Sequence, residues 1–210
     1  MDNVFKNIDP EKRDRIINSA LEEFSRNQFD KASTNNIVKN AKISKGLLFH
    51  YFNSKKELYE KLEEFTIQLI IDAIQENIDW NITDFFERVK QVSMIKGELI
   101  YQYPYLYDFM IMMIENTSVE ELRQKSEEQS GDLVQKIYKY NIDFLKFRSD
   151  INLEAAMTII RWTFEKFGEE SMGALIKTEK EFDFKQLEQE AEKYIELLRK
   201  AFYKKEEKSE

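Results

Sequence analysis

Residues 33–52 read STNNIVKNAKISKGLLFHYF, and this stretch predicts two short helices separated by a tight turn. Ser33 can cap a helix over residues 34–40, and Ser44 can cap a second helix over about 45–51. The apolar positions of each helix fall on one face, which is typical of helices that pack on a core. Two such helices joined by a three-residue turn form a helix-turn-helix, whose second helix enters the DNA major groove.

The predicted second helix has a surface suited to DNA. It buries Leu48 and Phe52 and exposes Lys45, which can neutralise phosphate charge together with Lys55. Gly46 lacks a Cβ, so the N-terminus of this helix can approach the DNA backbone closely. Hydroxyls suited to phosphate oxygens are those of Ser33, Thr34, Ser44 and Tyr51, and side chains suited to thymine methyl groups are Leu47 and Phe49.

The charge of the chain is unevenly distributed around this motif. All 210 residues together carry a formal net charge of −8, whereas residues 1–60 carry +2 and residues 61–210 carry −10. Lys31 to Lys56 includes six lysines and no Asp or Glu. An acidic chain argues against nucleic acid as a partner, but an acid-free basic segment argues for it. The alternative is a lysine face that is merely solvated.

The composition predicts an all-α fold of about nine helices, because five glycines and two prolines are too few for the turns of a sheet-based fold. No cysteine is present, and His50 is the single histidine, so we expect no disulfide, no metal site, no cofactor and no catalytic residue. The N-terminus lacks a secretory signal and the longest apolar run is six residues. These features predict a soluble, cytoplasmic protein that is not an enzyme.

Cap signals and helical periodicity predict further helices on both sides of the motif. Asp9-Pro10 starts a helix over about 10–27, and Ser54 with Glu57 forms a capping box before a helix that continues to about residue 78. Gly131 is a point at which a later helix can break. The later predicted helices lie near 83–101, 104–114, 118–147, 152–174 and 184–205.

The segment from Asn27 to Leu58 resembles the signature of tetracycline-repressor (TetR/AcrR) family regulators. The matching features are the hydroxyl pair Ser33-Thr34, the pair Ile37-Val38, the run Ala41 to Gly46 and the run Phe49 to Leu58. Three residues depart from the family pattern. Gln28 and Lys42 stand where the family usually has glycine, and Leu47 replaces a common threonine.

The resemblance implies an N-terminal helix-turn-helix domain over residues 1–55, with its motif at about 33–52, and an effector-binding and dimerisation domain over 56–210. The implied DNA contacts are Ser33, Thr34, Ser44, Lys45, Gly46, Leu47, Phe49, His50, Tyr51 and Lys55. The predicted function is that of a homodimeric transcriptional regulator, a repressor released from a palindromic operator by a small lipophilic effector. The alternatives are a helical protein-interaction module, an effector-independent DNA-binding protein and an all-α enzyme.

Aromatic and methionine side chains after Tyr101 suggest a ligand cavity, because these side chains line adaptable apolar pockets. Plain core packing is the alternative for each of them. The predicted pocket residues are Tyr103, Tyr107, Met110, Met113, Phe144 and Trp162.

The last two predicted helices each carry an apolar stripe, which predicts an interface between two copies of the chain. Internal core is again the alternative. The predicted interface residues are Ile159, Phe167, Leu187, Tyr194 and Leu198.

Overall fold

The computed structural model describes residues 4–116, 130–178 and 184–205, together with Glu121, Gln124 and Glu128. The regular structure of these residues is helical, as the composition predicts. Nine α-helices lie in this part of the chain: α1 (Pro10–Arg26), α2 (Thr34–Ala41), α3 (Lys45–Tyr51), α4 (Lys55–Asn77), α5 (Phe85–Gln102), α6 (Leu106–Asn116), α7 (Leu133–Lys139), α8 (Leu153–Thr178) and α9 (Phe184–Phe202). Two short 3-10 helices, Val4–Asn7 and Phe144–Lys146, complete it.

The predicted single helix over 118–147 is wrong in its C-terminal part. Gly131 does interrupt the helix, with φ +58°, and α7 then runs only from Leu133 to Lys139. Asn141 also adopts a left-handed conformation, with φ 57°, which an α-helix cannot accommodate. Residues 118–120, which open the predicted helix, lie outside the described part of the chain.

The start of α4 also differs from the predicted capping box. Ser54 Oγ accepts the N–H of Glu57 at 3.1 Å, as a capping box requires. The Glu57 carboxylate, however, accepts the backbone N–H of Asn53 at 2.9 Å and the Asn53 side-chain amide at 2.7 Å. In a capping box the Glu57 carboxylate would accept the N–H of Ser54, so this contact is displaced by one residue toward the N-terminus.

The chain forms two compact units, and the first of them contains residues 1–76 and 96–131. Its core is built from the inward faces of α1 to α4, together with α6 and Tyr103, the residue that follows α5. The buried side chains of this core include Ile16, Leu21, Phe24, Ile37, Leu48, Phe52, Leu58, Leu62, Tyr103 and Phe109. The predicted domain boundary after residue 55 remains a prediction.

The second unit contains residues 77–95 and 132–210 and is centred on Phe85, Phe86, Ile160 and Ile195. One buried carboxylate connects three of its segments. Asp84 Oδ1 accepts the N–H of Phe86 at 3.0 Å, while its two oxygens bind Arg199 at 2.9 and 3.0 Å and Lys146 at 2.9 Å. Burial raises the pKa of Asp84, but the hydrogen bonds from Lys146 and Arg199 outweigh burial, so its pKa lies below the usual value.

Arg88 is fully buried in the second unit and binds backbone rather than carboxylates. Its guanidinium donates to the carbonyl oxygens of Trp80, Ile82, Ile137 and Tyr140. It also lies 5.1 Å from the centre of the Trp80 ring. One side chain thus supplies hydrogen-bond donors to the segment before α5 and to the C-terminal end of α7.

Candidate nucleic-acid interface

Helix α3 has the caps and the buried face that the sequence predicts. Ser44 Oγ accepts the N–H of Leu47 at 3.1 Å, so the serine caps the helix as expected. The N–H of Phe52 closes the last turn on the carbonyl of Leu48 at 2.9 Å, and both of these side chains are buried. The two apolar anchors thereby orient the opposite face of α3 toward solvent.

The outward face of α3 carries most of the predicted DNA contacts. Lys45, Gly46 and His50 are exposed, and Leu47, Phe49 and Tyr51 are half-buried. The Lys45 ammonium lies 6.0 Å from the centre of the Phe49 ring. A Cβ placed on Gly46 would meet nothing within 4 Å, so the protein itself does not require glycine there. The close approach to DNA that would require it remains a prediction.

The turn between α2 and α3 has the geometry that the family's glycine implies. Lys42 adopts φ 55° and ψ 47°, the left-handed region that favours glycine. The next N–H, that of Ile43, donates to Val38 O at 3.0 Å, and Arg15 Nε donates to Ala41 O at 3.2 Å. The turn is therefore built conventionally, with a lysine in a strained position.

The N-terminus of α2 is held by a residue that the sequence analysis missed. Glu23 of α1 is 8% exposed, and its carboxylate accepts the N–H of Ser33 at 2.7 Å and the Asn36 side-chain amide at 3.1 Å. Asn27 adds a longer hydrogen bond of 3.3 Å to the same carboxylate. Ser33 and Thr34 are both half-buried, and the Ser33 side chain makes no capping hydrogen bond.

Lys55 lies beside the helix-turn-helix but is engaged with the protein's own backbone. Its ammonium donates to the carbonyl oxygens of Phe29 at 2.7 Å, Ala32 at 3.1 Å and Asp30 at 3.3 Å. It also lies 4.7 Å from the centre of the Phe29 ring. The structure therefore gives Lys55 a role in holding the connection between α1 and α2. The predicted phosphate contact of Lys55 stays a prediction.

The other lysines of the acid-free segment lie at the surface. Lys56 is 3.7 Å from Glu60 along α4. The exposed lysines that surround the helix-turn-helix are Lys31, Lys39, Lys42 and Lys45. Their charge gives this part of the first unit the electrostatic character that phosphate binding requires.

A polar stripe on α1 joins this region to the corner between α5 and α6, inside the first unit. The stripe consists of Asp14, Asn18, Glu22 and Arg26, which recur every four residues and so share one helix face. At one end, Asp14 accepts hydrogen bonds from Gln102 at 3.2 Å and from the Tyr103 hydroxyl at 3.3 Å. Asn18 donates to Gln102 O at 3.0 Å. At the other end, Arg26 donates to the Tyr105 hydroxyl at 3.0 Å. The Tyr105 hydroxyl in turn donates to the Glu22 carboxylate at 3.2 Å.

The predicted pocket residues divide between the two units. Tyr103, Tyr107, Met110 and Met113 belong to the first unit, whereas Phe144 and Trp162 belong to the second. Burial, with a contribution from Asp14, raises the pKa of Tyr103 to about 12, and burial alone raises that of Tyr107 to about 12. Trp162 is 60% exposed. A cavity lined by these residues remains a prediction.

The predicted interface residues include both exposed and packed side chains. Ile159 and Tyr194 are 42% and 43% exposed, whereas Leu187 is half-buried and Leu198 packs against the core of the second unit. Phe167 contacts the Tyr194 ring at 5.4 Å between centres. The outward stripes are Ala155, Ile159 and Trp162 on α8 and Tyr194, Leu197 and Ala201 on α9.

The described part of the chain also bears on two other kinds of site, a metal centre and a membrane-spanning helix. No three His, Cys, Asp or Glu side chains there come together in a way that could hold a metal ion. None of its helices combines the length and the apolar character that crossing a membrane demands.

Comparison with known proteins places the helix-turn-helix in a family. Residues 16–62 match the model of "Bacterial regulatory proteins, tetR family". The chain is 32% identical over 69 residues to the biofilm operon negative transcriptional regulator IcaR of Staphylococcus epidermidis, and 44% identical over 62 residues to the regulator UidR of Escherichia coli. These alignments cover 33% and 30% of this chain, and 37% and 31% of the two relatives, so the match spans about a third of each relative's length.

Solved structures resemble nearly the whole chain in fold. A TetR family regulator from Chloroflexus aurantiacus superposes with a TM-score of 0.65 at 19% identity, covering 96% of this chain and 97% of that one. The regulator FadR from Bacillus subtilis, solved in complex with stearoyl-CoA, gives a TM-score of 0.54 at 21% identity over 88% and 96% of the two chains. Residues 16–62 therefore resemble the tetR family of bacterial regulatory proteins in sequence, and the all-helical fold of the chain resembles that of solved TetR family regulators.

Proposed function

We propose that the protein is a transcriptional repressor that binds a specific operator as a homodimer in the cytoplasm and is released by a small lipophilic effector. The observation that carries this proposal is the outward face of α3, where Lys45, Leu47, Phe49 and His50 lie between exposed lysines. Such a surface combines phosphate-binding charge with side chains that can contact base edges. The relative IcaR, named as a negative regulator, supports repression as the direction of control.

A homodimer is supported by the apolar residues that face outward from α8 and α9. Ile159, Trp162, Tyr194 and Leu197 are each more than 40% exposed, and large exposed apolar side chains on adjacent helices are typical of an interface. Trp162 fits this interface better than the ligand pocket that its sequence context suggested. Two recognition helices related by a two-fold axis read half-sites about 10 base pairs apart, or a multiple of that, in an inverted repeat.

A lipophilic effector is supported by the side chains of α6 and by the structural neighbour that binds an acyl-CoA. Tyr107, Met110 and Met113 are adaptable side chains of α6 of the kind that lines lipophilic pockets. Bacillus subtilis FadR was solved with stearoyl-CoA, so a long acyl chain is the effector class that we would test first. Hydrogen bonds of Asp14 with the Tyr103 hydroxyl and of Asn18 with Gln102 O then link the corner between α5 and α6 to α1, the helix on which α2 packs.

Selection of bound duplexes from a random pool tests DNA binding directly. We expect an inverted repeat to be enriched, and its affinity to fall steeply as salt rises, by about 0.9 log units per phosphate charge neutralised for each log unit of salt. Lys45→Ala should flatten this slope by up to about 1 per subunit. Failure to enrich any duplex would support a protein-interaction module instead. Enrichment of a single asymmetric half-site would contradict the dimer.

Linkage between DNA and effector tests the release mechanism. If stearoyl-CoA weakens binding to the selected duplex by some factor, the duplex must weaken stearoyl-CoA binding by the same factor. A hundredfold effect corresponds to about 2.7 kcal/mol of coupling. Stearoyl-CoA and free stearate should be compared, because the proposed apolar contacts of Tyr107, Met110 and Met113 are with the acyl chain that both ligands share. Equal ligand affinities with and without the duplex would favour an effector-independent DNA-binding protein.

A further inference from the structure

The N-terminus of α2 has a serine at its N-cap position, but this side chain does not cap the helix. In a capping box, the N-cap hydroxyl accepts an N–H from the first turn, and a Glu or Gln three residues later accepts the N-cap N–H. Here the N-cap is Ser33, whose side chain makes no capping hydrogen bond. The third residue after it is Asn36, whose side-chain amide instead donates to Glu23.

The missing carboxylate is supplied by α1. Glu23 Oε1 accepts the N–H of Ser33 at 2.7 Å, which is the contact that a Glu at the position of Asn36 would make in a capping box. Glu23 Oε2 accepts the Asn36 amide at 3.1 Å, so both carboxylate oxygens are used. With 8% of its surface exposed, Glu23 is held in this geometry by the surrounding core.

We propose that Glu23 is a positioning residue for DNA binding: it caps α2 from outside the helix and thereby leaves the Ser33 hydroxyl available for a phosphate. This inference rests on the proposed DNA-binding function. A helix of eight residues is marginal without tertiary support, so its orientation depends on the contact at its N-terminus. The same contact fixes where Ser33 and Thr34 stand relative to α3. The Glu23 charge interacts favourably with the positive end of the α2 dipole.

Removal of the Glu23 carboxylate distinguishes a positioning role from a purely electrostatic one, because the two predict opposite changes in DNA affinity. Taking a negative charge away from a DNA-binding surface should strengthen DNA binding. If Glu23 positions α2, Glu23→Leu should instead weaken DNA binding. We expect a loss of about tenfold, which equals about 1.4 kcal/mol and lies within the range for loss of a helix cap. The slope of affinity against salt should stay unchanged, because no lysine or arginine is removed.

The matched control is Glu22→Leu, the same substitution at the adjacent position of α1. Glu22 is paired with Arg26 and Tyr105 and makes no contact with α2 that the structure records. Both variants and the wild type would be titrated as full-length dimers with the duplex enriched by the wild type, below their unfolding temperatures. Affinity that falls for Glu23→Leu and does not fall for Glu22→Leu supports the proposal. An equal or tighter affinity for Glu23→Leu overturns it.

Hydrogen exchange measured without DNA separates this proposal from the proposed function. In Glu23→Leu, the amide of Ser33 and the amides of α2 should exchange at least about tenfold faster, while those in the middle of α1 stay protected. Adding Asn36→Glu to Glu23→Leu should restore protection of Ser33, because a Glu at that position can cap the helix within α2. Unchanged exchange in α2, or no rescue, overturns the role of Glu23. A wild-type protein that enriches no duplex overturns the proposed function, and the exchange rates then decide the capping role alone.

Discussion

The two units both use charged side chains for internal contacts, but these contacts support different parts of the structure. In the first unit, the buried Glu23 and the half-buried Lys55 bind backbone groups at the connection between α1 and α2, and the outer face of the helix-turn-helix stays open. In the second unit, Arg88 donates to four backbone carbonyls, and Asp84 binds Arg199 and Lys146. Charged side chains therefore support the helix-turn-helix in one unit and hold irregular segments against helices in the other.

The largest expected effect is at Arg88. Arg88→Met keeps the apolar stem but leaves the carbonyls of Trp80, Ile82, Ile137 and Tyr140 without this donor, which should cost about 3 kcal/mol in the free energy of unfolding. Arg88→Lys should recover little, because an ammonium cannot replace a planar fork of donors. Thermal denaturation followed by circular dichroism measures the loss. Stability equal to that of the wild type would show that water replaces the guanidinium at no cost.

The next effect is pH-dependent and belongs to Asp84. Because its pKa is lowered in the folded protein, Asp84 stabilises the fold above the ordinary carboxyl pKa of about 3.9, and this stabilisation is lost as the pH falls through the lowered value. Asp84→Asn should therefore cost about 2 kcal/mol at pH 7 and much less near pH 2.

Denaturation at both pH values tests this sign. Asp150→Asn is the control, since the Asp150 carboxylate pairs with Arg148 at 2.6 Å but is exposed, and its removal should change stability little at either pH. A loss in Asp84→Asn that is the same at pH 7 and pH 2 would contradict the role of the carboxylate charge.

A pair of lysine variants separates structural charge from DNA-binding charge in the first unit. Lys55→Met should lower the free energy of unfolding by about 1.5 kcal/mol, because three carbonyls lose their donor, and should leave the salt dependence of DNA binding unchanged. Lys45→Ala should leave the free energy of unfolding nearly unchanged and should flatten the salt dependence of DNA binding. A flattened salt slope in Lys55→Met would instead support the phosphate contact that the sequence predicts for this lysine.

The smallest effect compares two left-handed residues, one in each unit. Lys42→Gly should raise stability by up to about 1 kcal/mol, because φ 55° strains a lysine and not a glycine. Asn141→Gly should give no gain, since asparagine tolerates this conformation and its side chain donates to Trp80 O at 3.1 Å. Paired denaturation curves would show the difference. A gain in Asn141→Gly that equals the gain in Lys42→Gly would mean that the side-chain contact contributes nothing.

The sequence determined the helix-turn-helix in most of its detail, because its signals are local. The Ser44 cap, the spacing of Leu48 and Phe52 and the three-residue turn act over a few residues, and the structure has α3 at the predicted bounds. The predicted side-chain cap by Ser33 is wrong, because Glu23 of α1 binds the N-terminus of α2 instead. The left-handed turn at Lys42 also followed from the family pattern, even though the glycine itself is missing. Helix type and number could be predicted for the same reason, since periodicity and scarce glycine and proline are visible along the chain.

Only the tertiary structure decided which side chains are engaged with the protein and which remain available to a partner. Lys55 reads as a DNA contact in the sequence, yet it binds carbonyls more than twenty residues away along the chain. Glu23 reads as one more charge on α1, and Trp162 as a residue of the ligand pocket, until packing buries the first and exposes the second. Contacts between residues distant in sequence depend on how helices pack, and a local pattern of residue types does not encode that packing.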